Sequence, residues 1–222
     1  MRTMPHDLLL FDLDGTLSDP LEGIGRSINY ALTHFGFPEQ TMTDLAAYIG
    51  PPLDESFRAI TGIRDAVDIE ALVAKYRERY AEVGYSENVL YPGIAEALDS
   101  LGRAGMPMAV CTSKRVDFAE QILQMFRLRH HFRFVSGGEI GTHKWQQMAA
   151  LRSQNQVTPS TVMVGDRAVD MVAAHRNGLT AAAVLWGYGS PAELRAEAPR
   201  YCFAAPDDLL QLRGLQRDSD TI

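Results

Sequence analysis

The sequence predicts an α/β protein whose core is a doubly wound parallel sheet, with a helical segment inserted after the first strand. From Leu90 onward, short apolar runs alternate with amphipathic stretches of about ten residues, the pattern of a parallel sheet covered on both faces. Residues 19–88 instead repeat apolar side chains every three or four positions and contain no convincing strand. Apolar residues make up 46% of the 222 residues, which is enough for a sizeable core.

The first predicted strand carries two carboxylates at its end. Four apolar residues, Leu8 to Phe11, run directly into Asp12 and Asp14, and Gly15 allows a sharp turn. Residues i and i+2 of a strand point to the same side, so both carboxylates project from the carboxyl end, where open α/β sheets bind ligands. Neighbouring carboxylates resist joint ionisation unless a cation lies between them, and hard oxygen ligands suit Mg²⁺. The alternative is a plain turn with solvated carboxylates.

The inserted block is predicted to be wholly helical. Apolar side chains recur at helical spacing from Ile24 to Phe35, and Gly36 and Pro38 end this first helix. Further predicted helices are a short one that Thr43 caps and that runs through Tyr48, one over residues 53–60, and one over residues 67–83. We therefore predict a core domain of residues 1–18 and 89–222 and a helical domain of residues 19–88.

The remainder of the chain is predicted to alternate between helices and strands. Gly105 and the pair Asn177–Gly178 are typical helix ends. The predicted helices cover residues 94–103, 116–126, 144–153, 168–176, 191–197 and 206–212, and the predicted strands cover residues 106–112, 132–136, 161–164 and 181–186.

The charge balance excludes several classes of partner. The 21 basic and 28 acidic side chains give a net charge of −7, which disfavours nonspecific binding to a nucleic acid polymer. No stretch approaches the ~18 apolar residues of a membrane-spanning helix, and the N-terminal apolar run is too short for a signal peptide. We expect a cytoplasmic protein that acts without a membrane, as a monomer or a homodimer.

Three later segments place polar side chains at predicted strand or helix ends. Thr112 and Ser113 follow a buried strand and could bind a phosphate oxygen, or alternatively cap the next helix. Lys144 begins a predicted helix after the glycine-rich residues 136–143. A cation at a helix N-terminus is mildly unfavourable, so the placement of Lys144 there hints at a function. Asp166 follows another buried strand and Asp170 comes one helical turn later, although Asp166 could instead be a helix cap.

These segments resemble the four motifs of the haloacid dehalogenase-like (HAD) phosphatases, in the family's order. Asp12-Leu13-Asp14-Gly15-Thr16 resembles the D-x-D-G-T signature, whose first Asp is a nucleophile and whose second is a general acid/base. The resemblance implies that Thr112 and Ser113 bind the transferring phosphoryl group and that Lys144 pairs with the nucleophile. It also implies that Asp12, Asp14, Asp166 and Asp170 serve a Mg²⁺ site in a Rossmann-like core, under a helical cap of the C1 type.

Finer motifs resemble the phosphoglycolate phosphatase-like and 5′-nucleotidase-like members of that family. They are Tyr48-Ile49-Gly50-Pro51-Pro52-Leu53, residues 90–94 and residues 184–190. The implied activity is hydrolysis of a small phosphorylated substrate, a phosphate monoester, through an aspartyl-phosphate. Candidate substrate contacts in the helical block are Arg58, Arg64, Lys75 and Tyr76, which could instead lie on solvated helix faces. The alternatives are a phosphomutase of the β-phosphoglucomutase type and a non-catalytic phosphate-binding regulatory protein.

Overall fold

The computed structural model describes residues 6–139 and 141–213, so residues 1–5, 140 and 214–222 of the predicted core domain lie outside the described residues. The described chain contains a six-stranded parallel sheet with helices on both faces, which confirms the predicted fold class. The strands are β1 (Leu8–Phe11), β2 (Ser18–Asp19), β3 (Val89–Leu90), β4 (Met108–Cys111), β5 (Phe132–Ser136), β6 (Thr161–Gly165), β7 (Thr180–Val184) and β8 (Tyr201–Phe203).

The large sheet places the first strand at its centre. Its order is β5-β4-β1-β6-β7-β8, and all of its strand pairs are parallel. Phe11 lies opposite Val110 of β4 and Val164 of β6, so three strands end at the same level. All four residues of β1 are buried, as expected for a strand flanked on both edges and covered on both faces.

Nine α-helices occur within the described residues. They are α1 (Leu21–His34), α2 (Met42–Leu45), α3 (Leu53–Thr61), α4 (Ala66–Glu82), α5 (Ile94–Arg103), α6 (Val116–Met125), α7 (Lys144–Ser153), α8 (Ala168–Arg176) and α9 (Pro191–Ala196). None of these helices is long and apolar enough to cross a membrane.

The first four helices form a unit with its own apolar interior, which we call the helical segment (residues 21–87). Its buried side chains include Ile28, Phe57 and Leu72, and Phe118 of α6 joins the same cluster. The antiparallel pair of β2 and β3 carries the chain into and out of this segment. Separate apolar clusters cover the two faces of the large sheet. The exact division into core and cap domains stays a prediction.

Several elements differ from the sequence prediction. Strands β2 and β3 were not predicted, because two residues are too few to display a strand period. Thr41, not Thr43, caps α2: its backbone is extended, and its hydroxyl oxygen accepts from the backbone N–H of Asp44 at 3.1 Å. Strand β8 was missed because three residues are too few to display a strand period. The segment Pro206–Arg213 forms a 3₁₀-helix rather than the predicted α-helix.

Candidate active site

Three parallel strands end together and deliver the first polar side chains of the site. Asp12 follows β1, Thr112 follows β4 and Asp166 follows β6. The backbone N–H of Asp12 donates to the carbonyl of Val164 at 2.9 Å, and that of Thr112 donates to the carbonyl of Ser136 at 3.0 Å. These bonds extend the sheet ladder by one residue and fix where each side chain leaves the backbone.

Asp12 is buried and both of its carboxylate oxygens have partners. Oδ2 lies 2.8 Å from the Nζ atom of Lys144, and Oδ1 accepts from the backbone N–H of Leu13 at 2.8 Å. The residue is 2% exposed. A buried carboxylate is stable only when it is paired in this way, so the structure holds Asp12 in one orientation at the strand end.

Lys144 begins α7 and lies between two carboxylates. Its ammonium pairs with Oδ1 of Asp170 as well as with Asp12, and the side chain is 2% exposed. Burial alone would lower the pKa of Lys144, but the adjacent Asp12 and Asp170 carboxylates raise it above its ordinary value. The lysine therefore stays charged, and its two partners explain why a cation is tolerated at a helix N-terminus.

Asp166 and Asp170 complete an acidic group beneath the strand ends. Asp166 accepts from the hydroxyl of Thr16 at 3.2 Å and from the backbone N–H of Tyr188 at 2.8 Å. Asp170 accepts from the backbone N–H of Arg167, the capping residue before α8, at 3.0 Å, so Asp166 is not the cap of this helix. Burial raises the pKa of Asp166, and the neighbouring Asp170 and Asp12 carboxylates raise it further.

These carboxylates fit a divalent cation. Asp12, Asp166 and Asp170 each offer an oxygen, the three oxygens lie within 4.8 Å of one another, and all three residues are buried. Three carboxylates against the single ammonium of Lys144 leave an excess of buried negative charge. Oxygen ligands and excess negative charge are the conditions that Mg²⁺ requires. Asp14 is not one of these three, and its predicted place in the metal site stays a prediction.

Asp14 instead pairs with a lysine that the sequence prediction did not single out. Its Oδ2 lies 2.9 Å from the Nζ atom of Lys114, while its Oδ1 is buried and has no hydrogen-bond partner among the described residues. Burial raises the pKa of Asp14, and the Lys114 ammonium opposes this shift. Lys114 also donates to the hydroxyl oxygen of Tyr80, in α4, at 2.6 Å. The position of Lys114 directly after Thr112 and Ser113 was the sequence signal that could have identified it.

The two hydroxyl residues after β4 lie at the same cleft as the two aspartates. Thr112 is 1% exposed, and its side-chain oxygen accepts from the backbone N–H of Lys114 at 3.2 Å. Neither Thr112 nor Ser113 caps α6, because the residue preceding that helix is Arg115 and no side chain bonds its first N–H groups within the described residues. Their predicted alternative as helix caps is therefore wrong, and their role in binding phosphate stays a prediction.

The turn at Gly15 brings the first strand's loop against Asp166. Gly15 has a φ of +83°, and a Cβ atom there would lie 2.2 Å from Oδ2 of Asp166. Only glycine combines this backbone conformation with so close an approach. The glycine of the D-x-D-G-T sequence thus lets the loop of β1 pack on the acidic group at the end of β6.

The helical segment forms the opposite wall of the cleft. The wall includes Tyr76, Arg77 and Tyr80 of α4 together with Pro51 and Pro52, which precede α3. Arg77 is half-buried and has no ion pair or hydrogen bond among the described residues.

Most of the substrate contacts expected from the sequence lie elsewhere. Of the four candidates, only Tyr76 lines the cleft. Arg58 donates to the backbone carbonyl of Arg64, and Lys75 pairs with Glu78. The sequence prediction missed Arg77, since helical spacing identifies the buried face of α4 but not which flanking residue reaches the cleft.

Comparison with known proteins supports the resemblance noted above. The sequence profile described as haloacid dehalogenase-like hydrolase matches residues 9–184. The chain is 41% identical to a 5′-nucleotidase of Pseudomonas aeruginosa, aligned over 87% of this chain and 90% of that protein. It is 30% identical to a phosphoglycolate phosphatase of Aliivibrio fischeri, aligned over 82% of this chain and 85% of that protein.

Two further similarities bear on fold and activity. The crystal structure of a predicted phosphatase from Clostridium acetobutylicum superposes with a TM-score of 0.86 at 33% identity, covering 92% of this chain and 96% of that one. The chain is also 40% identical to the tyrosine-protein kinase PtkA of Mycobacterium tuberculosis, aligned over 82% of this chain and 63% of that protein.

Proposed function

The chain belongs to the haloacid dehalogenase-like hydrolase family and is an enzyme of that family, and we propose that it hydrolyses a small phosphate monoester through an aspartyl-phosphate on Asp12. One observation carries the proposal. Two buried aspartates, Asp12 and Asp14, line one cleft, and each is held by its own lysine. Two carboxylates in different surroundings can take different roles, one as a nucleophile and one as a proton carrier.

In the first step, an oxygen of Asp12 attacks phosphorus in line with the bond to the leaving alcohol. The bond between phosphorus and the ester oxygen breaks, and that oxygen takes a proton from Asp14. In the second step, Asp14 removes a proton from a water molecule, which attacks the phosphorus of the aspartyl-phosphate. Inorganic phosphate leaves, and Asp12 and Asp14 return to their starting states.

The surrounding residues neutralise the phosphoryl oxygens. The Nζ atom of Lys144 lies 2.8 Å from Oδ2 of Asp12, so its charge would lie close to a phosphoryl group bound to Asp12, and Lys114 lines the cleft from the side of Asp14. Thr112 and Ser113 supply hydroxyl donors at the same strand end. Fixed charges and donors in a site shielded from water stabilise a transition state more strongly than they would in bulk solvent.

A magnesium ion is the cofactor that the acidic group suits. Asp12, Asp166 and Asp170 would hold it, and its charge would reduce the repulsion between Asp12 and an anionic substrate. Support for this assignment comes from the excess of buried carboxylate over ammonium at the strand ends.

Two observations support a small phosphate monoester as the substrate class: the names of the relatives and the wall that the helical segment forms. Relatives named 5′-nucleotidase and phosphoglycolate phosphatase favour a nucleoside monophosphate or a phosphoglycolate-like ester. The helical segment closes the cleft opposite Asp12 and Asp14, so it would contact the leaving group and exclude water.

The proposal is tested by measuring phosphate release from p-nitrophenyl phosphate and from a panel of natural monoesters, with and without Mg²⁺. We expect Mg²⁺-dependent release by the native protein and a fall of roughly 10⁴-fold or more in Asp12→Asn. Release that is unchanged in Asp12→Asn would refute the mechanism. An isomerised sugar phosphate in place of free phosphate would indicate a phosphomutase, phosphate transferred to a protein tyrosine would indicate a kinase, and binding without turnover would indicate a regulatory protein.

A further inference from the structure

A hydrogen-bonded chain of side chains connects Asp14 to the helical segment. The ammonium of Lys114 lies 2.9 Å from Asp14 and 2.6 Å from the hydroxyl oxygen of Tyr80. The Lys114 side chain is 6% exposed and Tyr80 is 1% exposed. The only direct charge partner of Asp14 among the described residues is therefore itself held by a residue of α4.

The position of Lys114 depends on both of its acceptors. A lysine ammonium is a compact charge on a flexible four-carbon chain, so a single partner would leave it several low-energy positions. Asp14 and Tyr80 together select one of them. Because Oδ1 of Asp14 has no hydrogen-bond partner in the part of the chain that the structure describes, the orientation of this carboxylate relies on the contact between Oδ2 and Lys114.

Tyr80 is in turn fixed by packing and by a second hydrogen bond. Its ring stacks on that of Tyr76, with centroids 5.3 Å apart, and meets the edge of Phe118 at 5.0 Å. Its hydroxyl oxygen also accepts from the side-chain amide of Asn88 at 3.3 Å.

Asn88 connects this network to the two strands that join the helical segment to the sheet. It precedes β3, and its side-chain oxygen accepts from the hydroxyl of Ser18, in β2, at 3.2 Å. The orientation of Tyr80 is thus set where the chain enters and leaves the helical segment.

We propose that Tyr80 is a positioning residue for the reaction: its hydroxyl fixes Lys114, and Lys114 keeps Asp14 aligned to protonate the leaving group. The proposal rests on the function proposed above, in which Asp14 is the proton donor. It assigns the helical segment a part in the chemistry in addition to covering the cleft.

A leaving-group comparison distinguishes this role from a structural one. Phenyl phosphate and p-nitrophenyl phosphate have nearly the same shape, but phenolate is the more basic leaving group and depends more on protonation. We expect Tyr80→Phe to lower kcat/KM about tenfold for phenyl phosphate and less than about twofold for p-nitrophenyl phosphate. Equal losses on both substrates would overturn the proposal, because disturbed folding or binding would not distinguish the leaving groups.

Tyr85→Phe is the matched control. It removes a tyrosine hydroxyl from the same region of the chain, and that hydroxyl makes no hydrogen bond within the described residues. We expect kcat/KM for phenyl phosphate and for p-nitrophenyl phosphate to stay at the native level in Tyr85→Phe. A loss on phenyl phosphate equal to that of Tyr80→Phe would show that the network is not responsible.

A double variant tests whether Tyr80 acts through Lys114. We expect Lys114→Met to show a leaving-group dependence at least as large as that of Tyr80→Phe, and the double variant to be no slower than Lys114→Met alone. If the losses of the two single variants multiplied in the double variant, the proposal would be overturned. Asp12→Asn distinguishes failure of the proposed function from failure of the role of Tyr80. Activity retained in Asp12→Asn refutes the proposed function. Activity lost in Asp12→Asn, together with equal losses on both substrates in Tyr80→Phe, refutes only the role of Tyr80.

Discussion

Two buried charge clusters meet at the same cleft but depend on different parts of the molecule. The floor cluster comes from residues that follow or begin elements of the sheet layers: Asp12, Lys144, Asp166 and Asp170. The junction cluster joins the sheet to the helical segment and the strands beside it: Asp14, Lys114, Tyr80 and Asn88.

Their charges also differ. The floor cluster sets three carboxylates against one ammonium, whereas the junction cluster pairs one carboxylate with one ammonium and satisfies the rest with neutral groups. A buried excess of charge is costly, so a cation bound from solution would stabilise the floor cluster. The junction cluster needs no added ion, but it requires the helical segment to be in place. Under the proposed function, one region of the site would thus depend on a metal ion and the other on the arrangement of the chain.

The largest effect is expected from removing the lysine of the floor cluster. Lys144→Met leaves three buried carboxylates without their ammonium, and we expect the free energy of unfolding to fall by about 3–5 kcal/mol. Phosphate release should fall roughly 10³-fold, since a fixed charge beside the phosphoryl group is lost. Urea denaturation and steady-state kinetics measure the two effects.

The control for this variant is Lys75→Met, which removes a lysine whose pair with Glu78 lies on the surface of α4. We expect its denaturation midpoint to match that of the native protein. A native midpoint in Lys144→Met as well would show that the floor cluster does not require its ammonium.

A matched pair of glycines separates close packing at the site from backbone strain alone. In Gly15→Ala the new methyl group would lie 2.2 Å from Oδ2 of Asp166, and we expect a loss of about 2–4 kcal/mol in the free energy of unfolding. Gly36, after α1, has a similar φ of +78°, but a methyl group added there would meet no described atom within 4 Å, so Gly36→Ala should cost only about 1 kcal/mol. Equal losses in the two variants would contradict the close approach at Gly15.

Metal dependence can be assigned to one cluster without measuring activity. At a Mg²⁺ concentration about 100 times its Kd, the native protein should gain about 2.7 kcal/mol, seen as a rise in Tm. Asp166→Asn should abolish most of this rise, and Asp14→Asn should retain it. If Asp14→Asn also abolishes the rise, then Asp14 belongs to the metal site, as the sequence resemblance implied.

The smallest effect is expected at the outer wall of the cleft. Burial lowers the pKa of Arg77, and the neighbouring Arg115 lowers it further, so a substrate group that carries a second negative charge would be a favourable partner. We expect Arg77→Gln to raise KM about tenfold for such substrates, the value of one charged hydrogen bond, and to leave KM for p-nitrophenyl phosphate unchanged. Arg58→Gln, outside the cleft, is the control and should leave KM unchanged for both kinds of substrate. An equal rise in KM for both kinds of substrate in Arg77→Gln would contradict this role of Arg77.

The floor cluster could be predicted from the sequence because its signals are local. A buried strand that ends in a carboxylate is visible in a few consecutive residues, and parallel strands place their carboxyl ends at one edge of the sheet. Asp12, Asp14 and Asp166 were predicted at strand ends in this way, whereas the family resemblance added Asp170. The structure brings oxygens of Asp12, Asp166 and Asp170 together. The fold class was predicted for the same reason, since the alternation of strands and helices is a property of short stretches of chain.

Asp14 is the one member of the junction cluster that was predicted as a site residue, because the network around it depends on contacts between distant residues. Tyr80 and Lys114 are 34 positions apart and meet only when α4 packs beside the loop after β4. Helical spacing predicts the helix over residues 67–83, but periodicity does not reveal what lies opposite its buried face. Arg77 was missed for the same physical reason, and Thr43 was chosen over Thr41 because both are good capping residues.

The central place of β1 has a consequence for how the protein folds. Strand β1, which precedes the proposed nucleophile, is the first strand of the described chain, but one of its two neighbours, β6, begins at Thr161, beyond the whole helical segment. The helical segment can close most of its apolar interior with contacts that are nearer in sequence, and such contacts form faster. During synthesis or refolding, helical structure should therefore appear before catalysis, and the enzyme should remain inactive until β6 has joined the sheet.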